Sequence, residues 1–318
     1  MNNTVNTKSV QGFKVNPRKA SNKIKKGIDD ILINIIGGFI LLFFAVMAVL
    51  PFLMIFTGSI SVEGNIIANG YSIIPREISF DAYKYLFHNP DQILNGYKVT
   101  LLLVTLGTFL SLNLITMTAY VLYRKDFRAR NLLSFFFYFT TLFNGGMIAS
   151  YIFMIRYLGL KDNMIALFLP HLFNVFYMIV MRSFITNTVP ISLVESAKLD
   201  GANDLQIYFK IVFPLLKTAL AAVGLFIFLG YWNDWYNCML YITSQEKMPL
   251  QYILYKTLSE SENYERAAMA SGVVSGGKMP SETMKLAMTV VVTLPIMFAY
   301  PFVQKYFVKG ITVGSVKG

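Results

Sequence analysis

An all-α membrane protein is the fold class this sequence predicts, on three observations. Hydrophobic residues make up 55% of the 318-residue chain and charged residues 14%, a balance too apolar for a soluble domain of this length. Six segments, at roughly 31–57, 97–122, 132–155, 163–185, 215–243 and 285–308, each supply the ~20 mostly apolar residues that a membrane-crossing helix needs. Basic residues between them are distributed unevenly. With the N-terminus cytoplasmic, the inside segments and inner helix ends hold 18 of the 28 Lys and Arg residues, which predicts that both termini are cytoplasmic.

Residues 1–30, with Lys14, Arg18, Lys19, Lys23, Lys25 and Lys26, read as a basic cytoplasmic arm that sets topology beside anionic membrane lipid. The first apolar run exceeds the ~7–15 residues of a cleavable leader and is expected to stay as a signal-anchor helix. The outer loop at 58–96 punctuates Phe80, Tyr83, Tyr85 and Phe87 with Gly and Pro, which suggests a short amphipathic helix at the interface. Arg124, Lys125, Arg128 and Arg130 mark an inner turn after the second segment. Asn144 beside Gly145-Gly146 reads as a helix break lining a cavity or as a point of close helix packing. The outer loop at 244–284 holds Glu260, Glu262, Glu265 and the run Gly272–Gly277, and flexibility is expected near the glycines.

Several function classes drop out. The net charge of +11 sits beside helix ends rather than on one aromatic-lined face, so no nucleic-acid partner is expected. Gly272, Gly277 and Lys278 fit part of a phosphate-binding loop, but Met279 stands where Ser or Thr must ligate magnesium and no buried strand precedes it. Neither His88 nor His171 has a Cys, His or carboxylate at metal-ligand spacing, no GxSxG elbow occurs, and Cys238 reads as a buried free thiol. No catalytic residue, metal or cofactor of the chain's own is expected.

Residues 186–217 form a polar inner loop that reads as two short helices around a break. Pro190 suits a helix start, Ile191, Val194 and Ala197 share a face, and Gly201 can take the left-handed end conformation. Asp204 to Phe213 places Leu205, Tyr208, Phe209 and Val212 at helical spacing, and Pro214 is expected to open the fifth segment. Glu195, Asp200 and Asp204 keep the element soluble and could pair with basic groups of a partner's cleft. Ser192 to Glu195 also fits a capping box.

Glu195-Ser196-Ala197, then Gly201, then Ile211-Val212-Phe213-Pro214 resembles the coupling loop of ABC-importer permeases, whose pattern reads EAA, three residues, G, nine residues, I, one residue, LP. All spacings match, with Ser196 and Phe213 as the departures. Leu158-Gly159-Leu160, Asp200-Gly201-Ala202, Trp232-Asn233 and Lys309-Gly310 are similar to the carbohydrate-type, maltose-like permeases. Gly145-Gly146-Met147-Ile148, Met248-Pro249-Leu250-Gln251 and Tyr306 to Gly310 look like the branch associated with larger oligosaccharides or polysaccharide fragments, with Ala149 in place of its Pro. The resemblance implies a type I ABC importer permease fold that forms half a pore. It implies as partners a second homologous permease, two ATP-binding cassette subunits that bind ATP and Mg, and an extracellular or periplasmic sugar-binding protein. By the same resemblance Glu195, Ser196, Ala197, Asp200, Gly201, Ala202 and Pro214 couple to the ATPase, and the tail 309–318, with Lys309, Gly310, Ser315 and Lys317, inserts between the ATPase subunits.

Chemistry supplies the substrate-path candidates. Tyr231 to Asn237 lies within an apolar segment, and its Asp234 is the one acid at mid-span depth, where an ionisable group is functional by default. Aromatic faces can stack on sugar C–H surfaces while Asn and Asp bond hydroxyls. The candidates are Trp232, Asn233, Asp234, Asn237, Asn144, His171 and Asn174. At helical spacing Asn233 would share a face with Asn237, and Trp232 with Trp235 or Tyr236. Interfacial belts and helix–helix bonding use the same residue types. The alternative function is a secondary transporter of a small polar solute, a class that usually has more spans, inverted repeats and several intramembrane charges.

Overall fold

The computed structural model describes residues 28–88, 90–271 and 281–315. The arm to residue 27 and the glycines Gly272–Gly277 lie outside them. The chain divides into two compact units, residues 1–51 and 52–318. The first contributes most of α1 (Ile28–Ser59), which runs through Pro51 and is longer than the segment expected from hydropathy. Its Phe39 and Leu41 are 71% and 72% exposed, apolar surface suited to lipid rather than to water.

The second unit begins within the end of α1. It continues through α2 (Glu63–Asn69) and α3 (Asp81–Leu86) to the long α4 (Pro90–Tyr123), then α5 (Arg130–Leu142) and α6 (Gly146–Ile152), which a π turn extends to Tyr157. Next come α7 (Ile165–Leu172), α8 (Val175–Thr188), α9 (Ile191–Leu199), α10 (Asp204–Ile207) with a π turn over Tyr208–Val212, and α11 (Phe213–Leu215). The last are α12 (Lys217–Trp232), α13 (Tyr236–Tyr241), α14 (Leu250–Ser271) and α15 (Ser281–Ser315). Among the described residues there is no strand, and Ser61 and Ile78 form a single isolated bridge.

Hydropathy located the apolar segments but not their bends. Among the described residues two helices are long and apolar enough to cross a membrane unaided, Leu32–Ser59 and Pro90–Tyr123. The third segment is bent by 114° between α5 and α6, where the Asn144 side chain accepts from the Gly146 N–H at 2.8 Å. The fourth bends by 48° between α7 and α8. The fifth starts only after an 83° bend at Leu216, so Pro214 belongs to the preceding element, and it breaks again at Asn233. The loop expected at 244–284 is largely the helix α14. The sixth segment continues as helix past Lys309 and Gly310 to Ser315, since glycine costs a helix only ~1 kcal/mol and no proline follows Pro301 to end it.

The core lies around α4, which packs against α12, α8 and α7, with α15 packed on α12. Small buried residues on α4, including Gly107, Ser111 and Ala119, allow this close approach. A Cβ at Gly107 would lie 2.5 Å from the Tyr231 ring. Leu250 N–H donates to Thr100 Oγ1 at 2.8 Å and Tyr97 O–H to the Val291 carbonyl at 2.6 Å, tying α14 and α15 to the Pro90 end of α4. Glu63 caps α15 from α2, accepting the N–H groups of Glu282 and Thr283 at 2.8 Å each.

Candidate functional site

At the Tyr123 end of α4 the chain builds a helix–glycine–helix elbow. α9 starts at Pro190, whose carbonyl accepts from Leu193 N–H at 3.1 Å, and no side chain caps it. The box expected over Ser192 to Glu195 therefore does not form, because Ser192 is already inside the helix. Val194 and Ala197 are buried beneath it while Glu195, Ser196 and Asp200 are exposed. Gly201 stands at φ 81°. The Ala202 N–H reaches back to the Ala197 carbonyl and the Gly201 N–H to Lys198, both at 3.0 Å, which is a Schellman closure of the helix. Leu199 projects beside this turn, 89% exposed.

The second arm departs from its expected register. Asn203 and Gln206 form a reciprocal capping box, with bonds of 2.9 and 3.0 Å, the arrangement that Asn203-x-x-Gln206 encodes. The π turn then inserts a residue into the helical repeat. Ile207, Tyr208 and Val212 are consequently the buried positions, while Leu205 and Phe209 of the expected face are exposed. Pro214 is exposed and Ala202 partly buried against the core.

Charges fix the elbow to its own chain. Arg124 pairs with both Asp126 and Asp204, and Lys198 Nζ lies 2.6 Å from Asp126. Asp204, expected to face a partner, is therefore engaged internally. The Asp126 carboxyl is held well below the usual carboxylate range by its bond to Arg124 and then by Lys198; the network is complete at neutral pH and is lost only as pH falls far into the acid range. Exposed pairs like these contribute ~0–1 kcal/mol each, so orientation is their main effect. Tyr123 O–H adds a bond to the Val189 carbonyl at 2.7 Å.

A polar cluster occupies the break between α12 and α13. Asp234 Oδ1 accepts the Asn237 N–H at 3.0 Å, and its Oδ2 accepts Asn237 Nδ2 at 2.9 Å. His171 Nε2, from the end of α7, lies 3.1 Å from the same Oδ2. A carboxylate oxygen accepts and a ring N–H donates, so an Nε2 that carries the proton donates to Asp234. Tyr231 supports the imidazole, with ring centroids 5.2 Å apart, and its hydroxyl contacts Ser111 Oγ at 3.2 Å and donates to the Phe168 carbonyl at 3.0 Å. The Asp234 side chain is 9% exposed and that of His171 33%.

The cluster thus joins three of the seven substrate-path candidates. Because α12 ends at Asn233, the faces expected at continuous helical spacing do not exist: Asn233 is an exposed cap, Trp232 is buried against Phe228, and Trp235 stacks on Tyr255 at 4.2 Å. Asn174 caps α8 by accepting from Phe176 and Tyr177 N–H, and Asn144 caps its own turn. Tyr231 and Ser111 gave no sequence signal of their own beyond a polar group in an apolar run. Lys309, Gly310 and Ser315 lie along the backbone of α15, and Lys317 falls outside the described residues.

Residues 113–313 match the family described as binding-protein-dependent transport system inner membrane component. The chain belongs to that family. As an inner membrane component it is the permease part of a bacterial ATP-driven ABC importer, and ATP hydrolysis belongs to separate ATPase subunits. Over 93% of its length it is 39% identical to the whole of the polygalacturonan/rhamnogalacturonan transport system permease protein YtcP of Bacillus subtilis. Over 87% it is 27% identical to 94% of the arabinooligosaccharides transport system permease protein AraQ of the same organism. Its fold matches a chain in the crystal structure of a bacterial ABC transporter involved in import of the acidic polysaccharide alginate, with TM-score 0.75 and 33% identity over 88% of this chain and 98% of that one. Membership favours the importer over the secondary transporter. An inner membrane component of this kind works with a second permease, ATPases and a binding protein, and the family has no cofactor of its own.

Proposed function

We propose that this inner membrane component imports oligosaccharide fragments of acidic polysaccharides and forms half of their pore, with six spans and both termini cytoplasmic. One second, similar permease completes the pore. One ATP-binding cassette subunit docks on this chain's elbow and another on the partner permease, and an extracellular or periplasmic protein delivers the sugar. The observation that carries the reading is the elbow, whose Schellman-closed tip is exposed while Arg124 and Tyr123 tie it to α4. Such an element receives a rigid-body push from a nucleotide-driven subunit and passes it to the helix at the centre of the bundle. Glu195, Ser196, Ala197, Asp200, Gly201, Ala202 and Pro214 form or support the docking surface.

His171, Asp234 and Asn237 are the substrate contacts in this reading. Asp234 has both oxygens engaged by Asn237 and His171, so it orients these groups rather than confronting an acidic sugar as a bare charge. The descriptions of the two relatives named above for polygalacturonan/rhamnogalacturonan and alginate transport support the substrate class. In a reconstituted complex, labelled uronate oligosaccharides are expected to show saturable, ATP-dependent uptake that neutral oligosaccharides of equal length do not. Equal uptake of both series rejects the acidic class, and ATP-independent uptake of either rejects the importer.

The tail 309–318, with Lys309, Gly310, Ser315 and Lys317, lies between the two ATPase subunits and aligns them. A Ser315→Cys variant should crosslink to an ATPase subunit, and removal of residues 311–318 should lower ATP turnover without affecting membrane insertion. Unchanged turnover together with no crosslink rejects this placement.

A further inference from the structure

α13 has six residues, far fewer than the ~12–15 at which a helix holds itself together in isolation. The break at Asn233 also separates it from α12. Its position comes from tertiary contacts: Cys238 and Tyr241 are buried, and polar contacts hold its two ends. At the first, Asp234 accepts the Asn237 N–H and side-chain amide. At the second, the contacts converge on one residue of a different element, Asp162.

The Asp162 N–H donates to the Tyr241 carbonyl at 2.8 Å, closing on the last residue of α13. Its Oδ1 accepts the backbone N–H groups of Thr243 at 3.0 Å and Ser244 at 2.9 Å. Its Oδ2 accepts the Ser244 hydroxyl at 2.5 Å and Lys247 Nζ at 2.9 Å, and Lys247 also donates to the Asp162 carbonyl at 2.5 Å. Asp162 is, among the described residues, the non-glycine with positive φ, at 53°. That conformation costs most L-residues roughly 1–2 kcal/mol, Asp and Asn less than the others, and costs glycine almost nothing. An aspartate there is explained by what its carboxylate holds.

Three residues later Ile165 opens α7, which carries His171 at its other end. The two short helices are therefore joined twice, by Asp162 to the 241–247 turn at one end and by His171 with Asp234 and Asn237 at the other. Between the ties, Tyr241 packs with Met154 and Ala166 in a separate buried cluster. We infer that Asp162 is a positioning residue for the substrate path: by pinning the far end of α13 it holds Asn237 and Asp234 in register with His171. The inference rests on the reading of that cluster as the substrate contact. The bonds to Ser244 and then to Lys247 keep the Asp162 carboxyl well below the usual carboxylate range, so the tie is intact at neutral pH and is released only in strong acid.

The test compares Asp162→Gly, Asp162→Asn and Lys247→Gln in the assembled transporter, measuring KM and maximal rate of oligosaccharide uptake together with basal ATP hydrolysis. Asp162→Gly relieves the backbone and deletes the carboxylate, and it is expected to raise KM about tenfold, the equivalent of ~1.4 kcal/mol, with basal hydrolysis and complex yield unchanged. Asp162→Asn, which keeps one acceptor oxygen, should raise KM less. Lys247→Gln leaves residue 162 intact and should raise it in the same direction. A normal KM for Asp162→Gly overturns the inference, as does a fall in complex yield across all three variants with KM unmoved, which is the pattern of a purely structural tie. Asp234→Ala is measured in parallel: if it moves KM and the Asp162 variants do not, the positioning role fails alone, whereas an unmoved KM in Asp234→Ala removes the substrate reading beneath it.

Discussion

Gly201→Asp is expected to leave the protein inserted and assembled while lowering substrate-stimulated ATP hydrolysis by more than tenfold, a loss of at least ~1.4 kcal/mol of productive coupling. A Cβ at Gly201 meets nothing within 4 Å, so the cost to the chain's own fold is the backbone strain of a side chain at φ 81°, which Asp bears better than most L-residues. What changes is the outer surface of the elbow, where a charged side chain would stand at the point proposed to enter the ATPase cleft. Gly201→Ala separates the two contributions, because it adds a methyl group without charge at a φ that alanine tolerates less well. A coupling defect larger for Asp than for Ala identifies docking, and the reverse order identifies the turn. Stimulated hydrolysis at the normal rate in Gly201→Asp, at normal expression and pull-down recovery, sinks the coupling role.

That prediction could be framed from sequence because the elbow is a local structure. Pro190, the Val194 and Ala197 face and the left-handed Gly201 are each set by residues within one or two helical turns, and local rules read them. The second arm failed where a local rule was missing, since the π turn at Tyr208–Val212 moves the buried face without any proline or glycine to announce it. The Ser192 box fails because Pro190 starts α9 two residues earlier, and the box that does form, Asn203 with Gln206, belongs to the start of α10.

The polar cluster was half legible for a different reason. Hydropathy averages over about 20 residues, so it reports that 215–243 is apolar and hides a three-residue break within it. His171 and Asp234 are 63 positions apart in sequence, and Asp162 and Lys247 are 85 apart; pairs at such separations have no spacing signature. Arg124, Asp126, Lys198 and Asp204 were each visible as charges, but reading them as a topology signal and a soluble surface overlooked that they bond one another. The class of protein was therefore accessible from composition and one motif, and the connections among its functional groups were not.

Asp234→Asn is expected to reduce oligosaccharide uptake by roughly tenfold or more, with a higher KM, while assembly and basal ATP hydrolysis survive. Asp234 offers two acceptor oxygens to three donors: the Asn237 backbone N–H on Oδ1, and Asn237 Nδ2 with His171 Nε2 on Oδ2. An asparagine offers one oxygen and an NH2 group that can only donate. If its oxygen takes the place of Oδ2, the NH2 faces the Asn237 N–H; if it takes the place of Oδ1, the NH2 faces the side-chain amide and the imidazole. In the first case a donor meets a donor in a site where the side chain is 9% exposed, and leaving such a group unsatisfied costs ~1–3 kcal/mol; in the second the Asn237 amide must flip and His171 must present an unprotonated Nε2 to accept. The cost falls on the first turn of α13 and on the tautomer of His171, both of which would face the sugar, whereas the Tyr231 bonds to Ser111 and Phe168 that hold α12 to its neighbours are untouched. Asp234→Ala removes all three bonds and should be more severe in KM without a larger loss of complex. Uptake with wild-type KM in both variants takes Asp234 out of the substrate path, and loss of the assembled complex in both shows instead that the cluster serves to hold α7 and α13 together.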